Sequence, residues 1–351
     1  MSDASLGIIA SGVAYQYAKE AFPNASFLKL GMPYPLPERL VRDFASRVKD
    51  LWIIEELDPF VEEMVKALGI PCRGKERVPL CGELNPDIVK AAVLGLEIPR
   101  PAPQALPPRP PSMCPGCPHR AMLYALKRNK CFIAGDIGCY TLGFLPPLDA
   151  IDTCLCMGAG INHAHGMSKV FGPGEQKIAA VIGDSTFFHS GITGLANLAY
   201  NSGCALVVIL DNRTTAMTGS QNHPGTGVTI SGEKTTDIDL ESLVKALGIP
   251  WVRTVNPYAV NETRQAVKEA LDSKGPAVII SRAPCVLLKT RAVPGTVLEV
   301  DPETCTGCKV CISLGCPALE FDGEKAHING VCVGCNVCAE ICPAGAIGGG
   351  S

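Results

Sequence analysis

The sequence has no apolar run near the roughly 18 residues that a helix needs to cross a bilayer, and its opening, MSDASLGIIASG, shows no basic segment ahead of a short apolar stretch. Neither a membrane span nor a secretory leader is expected. Basic residues are not in excess: 31 Lys and Arg stand against 34 Asp and Glu, a formal net charge of -3. That balance lacks the electrostatic footprint of a nucleic-acid binder. With 47% hydrophobic and 19% charged residues in 351, the chain is not a disordered segment, and its length supplies two or three domains with real cores. The reading is a cytoplasmic protein with no nucleic-acid or membrane partner. Disulfides are rare in that compartment, yet there are 18 cysteines, so their spacing has to be explained.

Eight of the 18 fall between Cys305 and Cys342, as Cys305-x2-Cys308-x2-Cys311-x4-Cys316-Pro and Cys332-x2-Cys335-x2-Cys338-x3-Cys342-Pro. The offsets are 27, 27, 27 and 26 residues, an internal duplication with one extra residue in the first copy. Thiolates two residues apart can share one cluster, while the cysteine before proline reaches the other. The expected sets are one 4Fe-4S cluster on Cys305, Cys308, Cys311 and Cys342 and a second on Cys316, Cys332, Cys335 and Cys338. Zinc sites also use C-x2-C pairs, but seldom with a third cysteine two residues on and a fourth before proline.

Residues 1–98 alternate short apolar runs with helical patterns and read as a small α/β domain. Glu55, Glu56 and Asp58 within it read as a solvated loop. Residues 99–111 form a proline-rich linker: nine of the 20 residues from Pro99 to Pro118 are proline, which forbids a helix and favours stiff, extended chain. Residues 112–294 resume the alternation with nearly continuous apolar strands such as KIAAVIG and CALVVILD, the mark of a doubly wound α/β sheet covered on both faces. Residues 295–347 hold the duplicated cysteine loops, and 348–351 read as a Gly/Ser tail resembling a linker remnant.

In doubly wound sheets, ligands sit at the carboxyl ends of the strands. Gly183-Asp184-Ser185 ends one strand and Asn212 ends the next, 28 residues after Asp184, which is one strand-helix-strand repeat. Asp184, the Asn212 amide and the Thr214 carbonyl would offer Mg2+ the hard oxygen donors it prefers. Gly183 and Ser185 leave room and donors for a diphosphate at the start of the following helix. His119 and His223 lie in loops expected at the same strand ends and could orient substrate or carry protons. Cys72, Cys81, Cys131, Cys154, Cys156 and Cys204 show no ligand spacing and read as small buried hydrophobes.

The strings GDSTFFHSGITGLANLAYN and LDNRTTAMTG, with MCPGCPHR, GDIGCYTLG, SQNHPGTG and the duplicated cluster loops, resemble the 2-oxoacid:ferredoxin oxidoreductases. The likeness is to the C-terminal part of the large subunit of indolepyruvate-type enzymes and covers essentially the whole chain. It implies a transketolase C-terminal-like domain at 1–98, a thiamine diphosphate-binding domain at 112–294 and a two-cluster ferredoxin-like α+β domain at 295–347. It further implies that Asp184, Asn212 and Thr214 hold Mg2+ with thiamine diphosphate, that Gly138 is part of the cofactor site and that Met157 supports the bent cofactor. A third cluster near thiamine is implied on Cys114, Cys117, Cys139 and Cys285. The sequence departs from the pattern at Pro118-His119, where glycine is common.

The implied activity is oxidative decarboxylation of an arylpyruvate with coenzyme A to arylacetyl-CoA and CO2, with electrons passing through the clusters to ferredoxin. The implied partners are a smaller beta subunit and, in another chain, the pyrimidine-binding domain that no segment here resembles. Another 2-oxoacid as substrate, a cluster-bearing electron-transfer fragment without its own turnover, and a non-oxidative decarboxylase are the alternatives. The duplicated cluster loops argue against the last.

Overall fold

A computed structural model describes residues 3–98, 106–171, 176–273, 275–288 and 296–349. The chain divides into two units, Met1–Pro108 and Arg109–Ser351. Within the stretch read as a linker, 99–105 lie outside the described residues, as does the boundary placed between 294 and 295.

The first unit runs β1 (Asp3–Ser11), α1 (Gly12–Ala21), β2 (Ala25–Leu30), α2 (Glu38–Ala45), β3 (Asp50–Ile54), α3 (Phe60–Ala67) and α4 (Pro86–Leu94). Its strands are parallel in the order β2-β1-β3. Because side chains alternate across a strand, Ile8 and Ala10 join Trp52 and Ile54 in one apolar cluster with α1 and α4. Ile9 joins Leu51 and Ile53 in a second cluster with α2 and α3. The acidic group after β3 is not the solvated loop expected. Glu55 is buried, and its carboxylate accepts the Val61 and Glu62 N–H groups at 2.9 Å each. It satisfies N–H groups that the helix start leaves open. Glu56 accepts the Leu84 N–H at 2.9 Å, and only Asp58 is exposed.

The second unit begins with α5 (His119–Arg128), β4 (Phe132–Gly135), a 3-10 turn at Cys139–Phe144, β5 (Thr153–Cys154) and α6 (Ala159–Phe171). It continues through β6 (Ile178–Gly183), α7 (Asp184–Thr186), a π-helical segment Phe187–Gly191, α8 (Ile192–Tyr200), β7 (Leu206–Asp211) and α9 (Leu240–Ala246). The sheet is completed by β8 (Trp251–Val255), α10 (Val260–Leu271) and β9 (Ala277–Arg282). Among the described residues these strands form a parallel sheet ordered β5-β4-β6-β7-β9-β8. Alternation again sorts the faces. Val181, Val208 and Ile279 pack with α5 and α10, while Ile182, Ile209 and Ile280 pack with α6, α8 and α9. Both faces are covered, which is why these strands read as unbroken apolar runs.

The cysteine-rich segment adds β10 (Leu298–Val300), β11 (Leu319–Phe321), β12 (Ala326–Ile328), α11 (Val337–Ile341) and β13 (Ile347–Gly349). β10 pairs antiparallel with β13, and β11 with β12. The sequence reading separated this segment from the sheet, but its Leu298, Leu314, Val337 and Ile347 belong to the same buried cluster as α5 and α10. Gly348 and Gly349 are not loose linker: they pair with Glu299 and Leu298. Residues 350 and 351 lie outside the described residues. The six unassigned cysteines are also not all buried. Cys81, Cys154, Cys156 and Cys204 are exposed, and Cys72 and Cys131 are half-buried.

No helix among the described residues is long and apolar enough to cross a membrane. Ile279 is fully buried on β9 between β7 and β8. Ile279→Ala is therefore expected to lower the unfolding free energy by about 2–5 kcal/mol in urea titration, and a loss below about 1 kcal/mol would contradict that placement.

Candidate functional site

The chain leaves β4 for β5 on one side, then crosses back to lay β6 on the other side of β4. That reversal of winding opens a crevice at the carboxyl ends of β4 and β6, where such sheets bind ligands. A cavity of about 90 Å3 lies there. It is lined by Gly138 and Cys139 after β4, by Gly183, Asp184 and Ser185 after β6, by Asn212 and Thr214 after β7, and by His119 and Met157. Nine residues singled out in the sequence thus meet at one place. The π-helical segment behind α7 belongs to the helix that starts at this crevice, and such segments are frequent at functional sites.

Asp184 is buried; its Oδ1 accepts the Ser185 N–H at 2.7 Å and its Oδ2 the Arg213 N–H at 2.8 Å. The Asn212 Oδ1 accepts the Thr214 N–H at 3.3 Å. Asp211, also buried, accepts Arg282 Nε at 2.6 Å through Oδ2, while its Oδ1 has no hydrogen-bond partner. Burial, and then the nearby Asp184 charge, raise its pKa. Asp211 does not line the cavity and is paired with Arg282, so the groups there that fit a cation are the buried Asp184 carboxylate and the Asn212 amide. Carboxylate, amide and carbonyl oxygens are donors that suit Mg2+.

The two histidines are placed differently from the expectation. His119 is not in a loop but opens α5, and burial lowers its pKa to about 4. The neutral ring lies with Nε2 3.3 Å from Asn212 Nδ2, an arrangement in which the amide donates and Nδ1 carries the ring proton. His223 lies in a loop but does not line the cavity. Its Nδ1 accepts the Gly225 N–H at 3.2 Å, which leaves the proton on Nε2. Nε2 stands 3.1 Å from Asp184 Oδ2, although the pair is not aligned as a hydrogen bond. Its place behind Asp184 suits holding that carboxylate more than meeting substrate. His163, His165 and His189 do not line the cavity.

Among the residues at the site that sequence reasoning did not single out, two brace its loops. Asp136, fully buried at the end of β4, accepts the Ile137 N–H at 2.8 Å, the Gly158 N–H at 2.9 Å and the Gly160 N–H at 3.2 Å. It thereby fixes the turn carrying Met157 and the start of α6. Tyr140 accepts the Gly183 N–H at 2.9 Å and donates to the Ile137 carbonyl at 3.1 Å, tying the two crevice loops together. The signal for Asp136 was present: Gly135-Asp136 repeats the Gly183-Asp184 pattern at a second strand end.

The duplicated cysteines line two small cavities. One small cavity is lined by Cys305, Cys308, Cys311 and Cys342, and another by Cys316, Cys332, Cys335 and Cys338. Backbone N–H groups reach the sulfurs, from Gly334 to Cys332 and from Ala346 to Cys342, each at 3.4 Å. Hydrogen bonds from Ala326 and Gly307 lower the Cys305 pKa. Burial pushes the Cys338 thiol up to about 12, with repulsion from Cys335, Cys316 and Cys332 adding to it. In the other set, burial raises the Cys139 pKa, followed by Cys285 and Cys114. Cys117 is pushed up to about 12 by burial, with Cys114 and Cys139 contributing. Cys114, Cys117, Cys139 and Cys285 therefore lie close enough to feel one another's charge.

The backbone carries a further likeness. The glycine of each C-x-G-C turn is left-handed, with φ of 66° at Gly116, 68° at Gly307 and 66° at Gly334. Among the described residues no three His, Cys, Asp or Glu side chains converge on a single metal ion.

Residues 136–281 match the family described as thiamine pyrophosphate enzyme, C-terminal TPP binding domain. The match runs from the end of β4 through β9 and takes in the crevice loops. The chain as a whole is similar to proteins named indolepyruvate oxidoreductase subunit IorA. It is 40% identical to that of Pyrococcus horikoshii over 98% of this chain and 60% of the relative. It is 43% identical to that of Archaeoglobus fulgidus over 98% and 60%, and 42% identical to that of Methanothermobacter thermautotrophicus over 99% and 60%. The chain spans about 60% of the length of these curated relatives. Among solved structures, a 2-oxoglutarate:ferredoxin oxidoreductase from Magnetococcus marinus aligns with a TM-score of 0.45 and 19% identity over 50% of this chain and 65% of that one.

Asp136→Ala would strand the buried N–H groups of Gly158 and Gly160 and the part-buried one of Ile137. A stability loss of at least about 2 kcal/mol is expected in denaturant unfolding, and an unchanged midpoint would contradict the role of this carboxylate.

Proposed function

We propose that the chain is the thiamine- and cluster-bearing part of a 2-oxoacid:ferredoxin oxidoreductase that acts on arylpyruvates. The reaction is arylpyruvate plus coenzyme A to arylacetyl-CoA, CO2 and a proton, with two electrons leaving one at a time for ferredoxin. The observation that carries this reading is the crevice itself. Asp184, Asn212 and Thr214 share one cavity with Cys139, which brings the proposed diphosphate site and a proposed cluster ligand together.

Thiamine diphosphate, when bound, supplies the electron sink needed to cleave the carboxylate from a 2-oxoacid. The residues of this chain position and poise it. Asp184, Asn212 and the Thr214 carbonyl hold the Mg2+ of the diphosphate, and Met157 supports the cofactor ring. The neutral His119 keeps the Asn212 amide oriented, and His223 lies against Asp184. Cys114, Cys117, Cys139 and Cys285; Cys316, Cys332, Cys335 and Cys338; and Cys305, Cys308, Cys311 and Cys342 would each hold a cluster, which would supply one-electron transfer outward through a ferredoxin-like domain. Cys308 is exposed, so the last set is the one that an external ferredoxin reaches. A smaller beta subunit and a pyrimidine-binding domain from outside these 351 residues complete the enzyme.

The names of the relatives and the thiamine family match support this reading, and the share of the relatives' length bears on turnover. A cluster-bearing unit that binds cofactor but does not turn over by itself is the second form of the reading. Calorimetric titration of the reconstituted protein with thiamine diphosphate and Mg2+ should show binding, and Asp184→Ala should weaken it at least tenfold while leaving the iron content unchanged. Arylpyruvate- and coenzyme A-dependent viologen reduction should appear only when the partner subunits are added. Equal cofactor binding by Asp184→Ala would overturn the proposed site, and robust turnover by this chain alone would overturn the need for partners.

A further inference from the structure

Arg120 lies on α5, three residues after Cys117, and is 4% exposed. Its guanidinium joins two segments that are distant in sequence. On one side it donates to the carbonyls of Met113 and Cys114. On the other it donates from Nη1 to the Leu314 carbonyl at 3.0 Å and the Gly315 carbonyl at 2.6 Å, immediately before Cys316. Among the described residues no Asp or Glu forms an ion pair with it. Burial lowers its pKa, and the largest opposing influences come from Cys316, Cys117, Cys114 and Cys335. Carbonyl dipoles solvate a buried cation, but its charge stays uncompensated unless an anion is near.

The two flanking cysteine sets also abut. A Cβ on Gly116, between Cys114 and Cys117, would stand 2.2 Å from Val333 Cγ2, between Cys332 and Cys335. Tyr258 seals the contact with a 2.8 Å hydrogen bond to the Gly116 carbonyl. Gly116, Cys117 and Arg120 line one small cavity with Cys316, Cys335 and Cys338.

We infer that Arg120 is the buried counter-cation shared by the clusters on Cys114, Cys117, Cys139 and Cys285 and on Cys316, Cys332, Cys335 and Cys338, and that it favours their reduced forms. This rests on the proposed reading that these cysteines hold clusters. Four thiolates make a four-iron cluster a net anion, and each one-electron reduction adds one negative charge. A fixed positive charge in a region of low dielectric therefore stabilises the reduced form more than the oxidised one. Cys305, Cys308, Cys311 and Cys342 line a separate cavity that does not include Arg120. Arg120 is a positioning residue and touches no substrate.

The test is an anaerobic redox titration of the reconstituted full chain followed by electron paramagnetic resonance, with Arg120→Met, Arg120→Gln and Arg120→Lys. At the wild-type midpoint, Arg120→Met should lower the reduced-to-oxidised ratio of at least one flanking cluster about tenfold, about 59 mV for a one-electron centre. The cluster on the Cys305 set should move far less, and Arg120→Lys should stay within about threefold of wild type. Fully loaded Arg120→Met with both flanking clusters within twofold of wild type would overturn the inference. If neutral variants fail to load iron while Arg120→Lys loads fully, the requirement for charge is supported. If Arg120→Lys also fails, Arg120 is a brace of shape alone and the electrostatic role is overturned. A wild-type protein that takes up no iron would overturn the cluster reading and this inference together.

Discussion

The reversal of winding between β4 and β6 is the constraint on which the site depends. A parallel strand pair with connections leaving in opposite directions cannot close the space above its carboxyl ends, so the two exit loops face each other across a crevice. Here the loops start alike, Gly135-Asp136 and Gly183-Asp184, but the carboxylates serve different ends. Asp136 is used up on backbone N–H groups and fixes the walls. Asp184 accepts only one N–H group at each of its oxygens, which leaves lone pairs for a cation.

The second dependence is on water exclusion. The apolar cluster that covers one face of the sheet runs on without a break into the cysteine loops, taking in Cys117, Cys305, Cys311 and Cys338. A continuous core of this kind keeps the dielectric low around sulfur ligands, and for the same reason it makes any uncompensated charge there costly. Arg120 lies in that setting. Its hydrogen bonds to carbonyls on both sides of the junction make it part of the structure as well as of the local field.

Much of this was legible in the sequence, and the reasons are particular. The strands KIAAVIG and CALVVILD announced themselves because both faces are buried, and the 27-residue repeat of cysteines exposed the duplication directly. β8 was missed because its residues before Val255 are only partly buried and include Arg253 and Thr254, a weak apolar signal. Glu55 was misread because an acidic group after a strand usually faces water, and only the path of the chain into α3 shows that it is needed as a cap. His223 was placed in its loop, but its approach to Asp184 was hidden because it depends on how that loop folds back. The joining of 112–294 with the cysteine segment was hidden because a contact such as Gly116 against Val333 spans more than two hundred residues and leaves no local trace.

The most direct measurement of the central proposal, that Cys139 in the crevice would ligate a cluster of its own, is the iron and sulfide content after anaerobic reconstitution of wild type and Cys139→Ser. The account predicts about 12 iron atoms per chain in wild type, four for each of three cubes, and about eight in the variant, with thermal unfolding unchanged before reconstitution. About eight iron atoms in both proteins would contradict it.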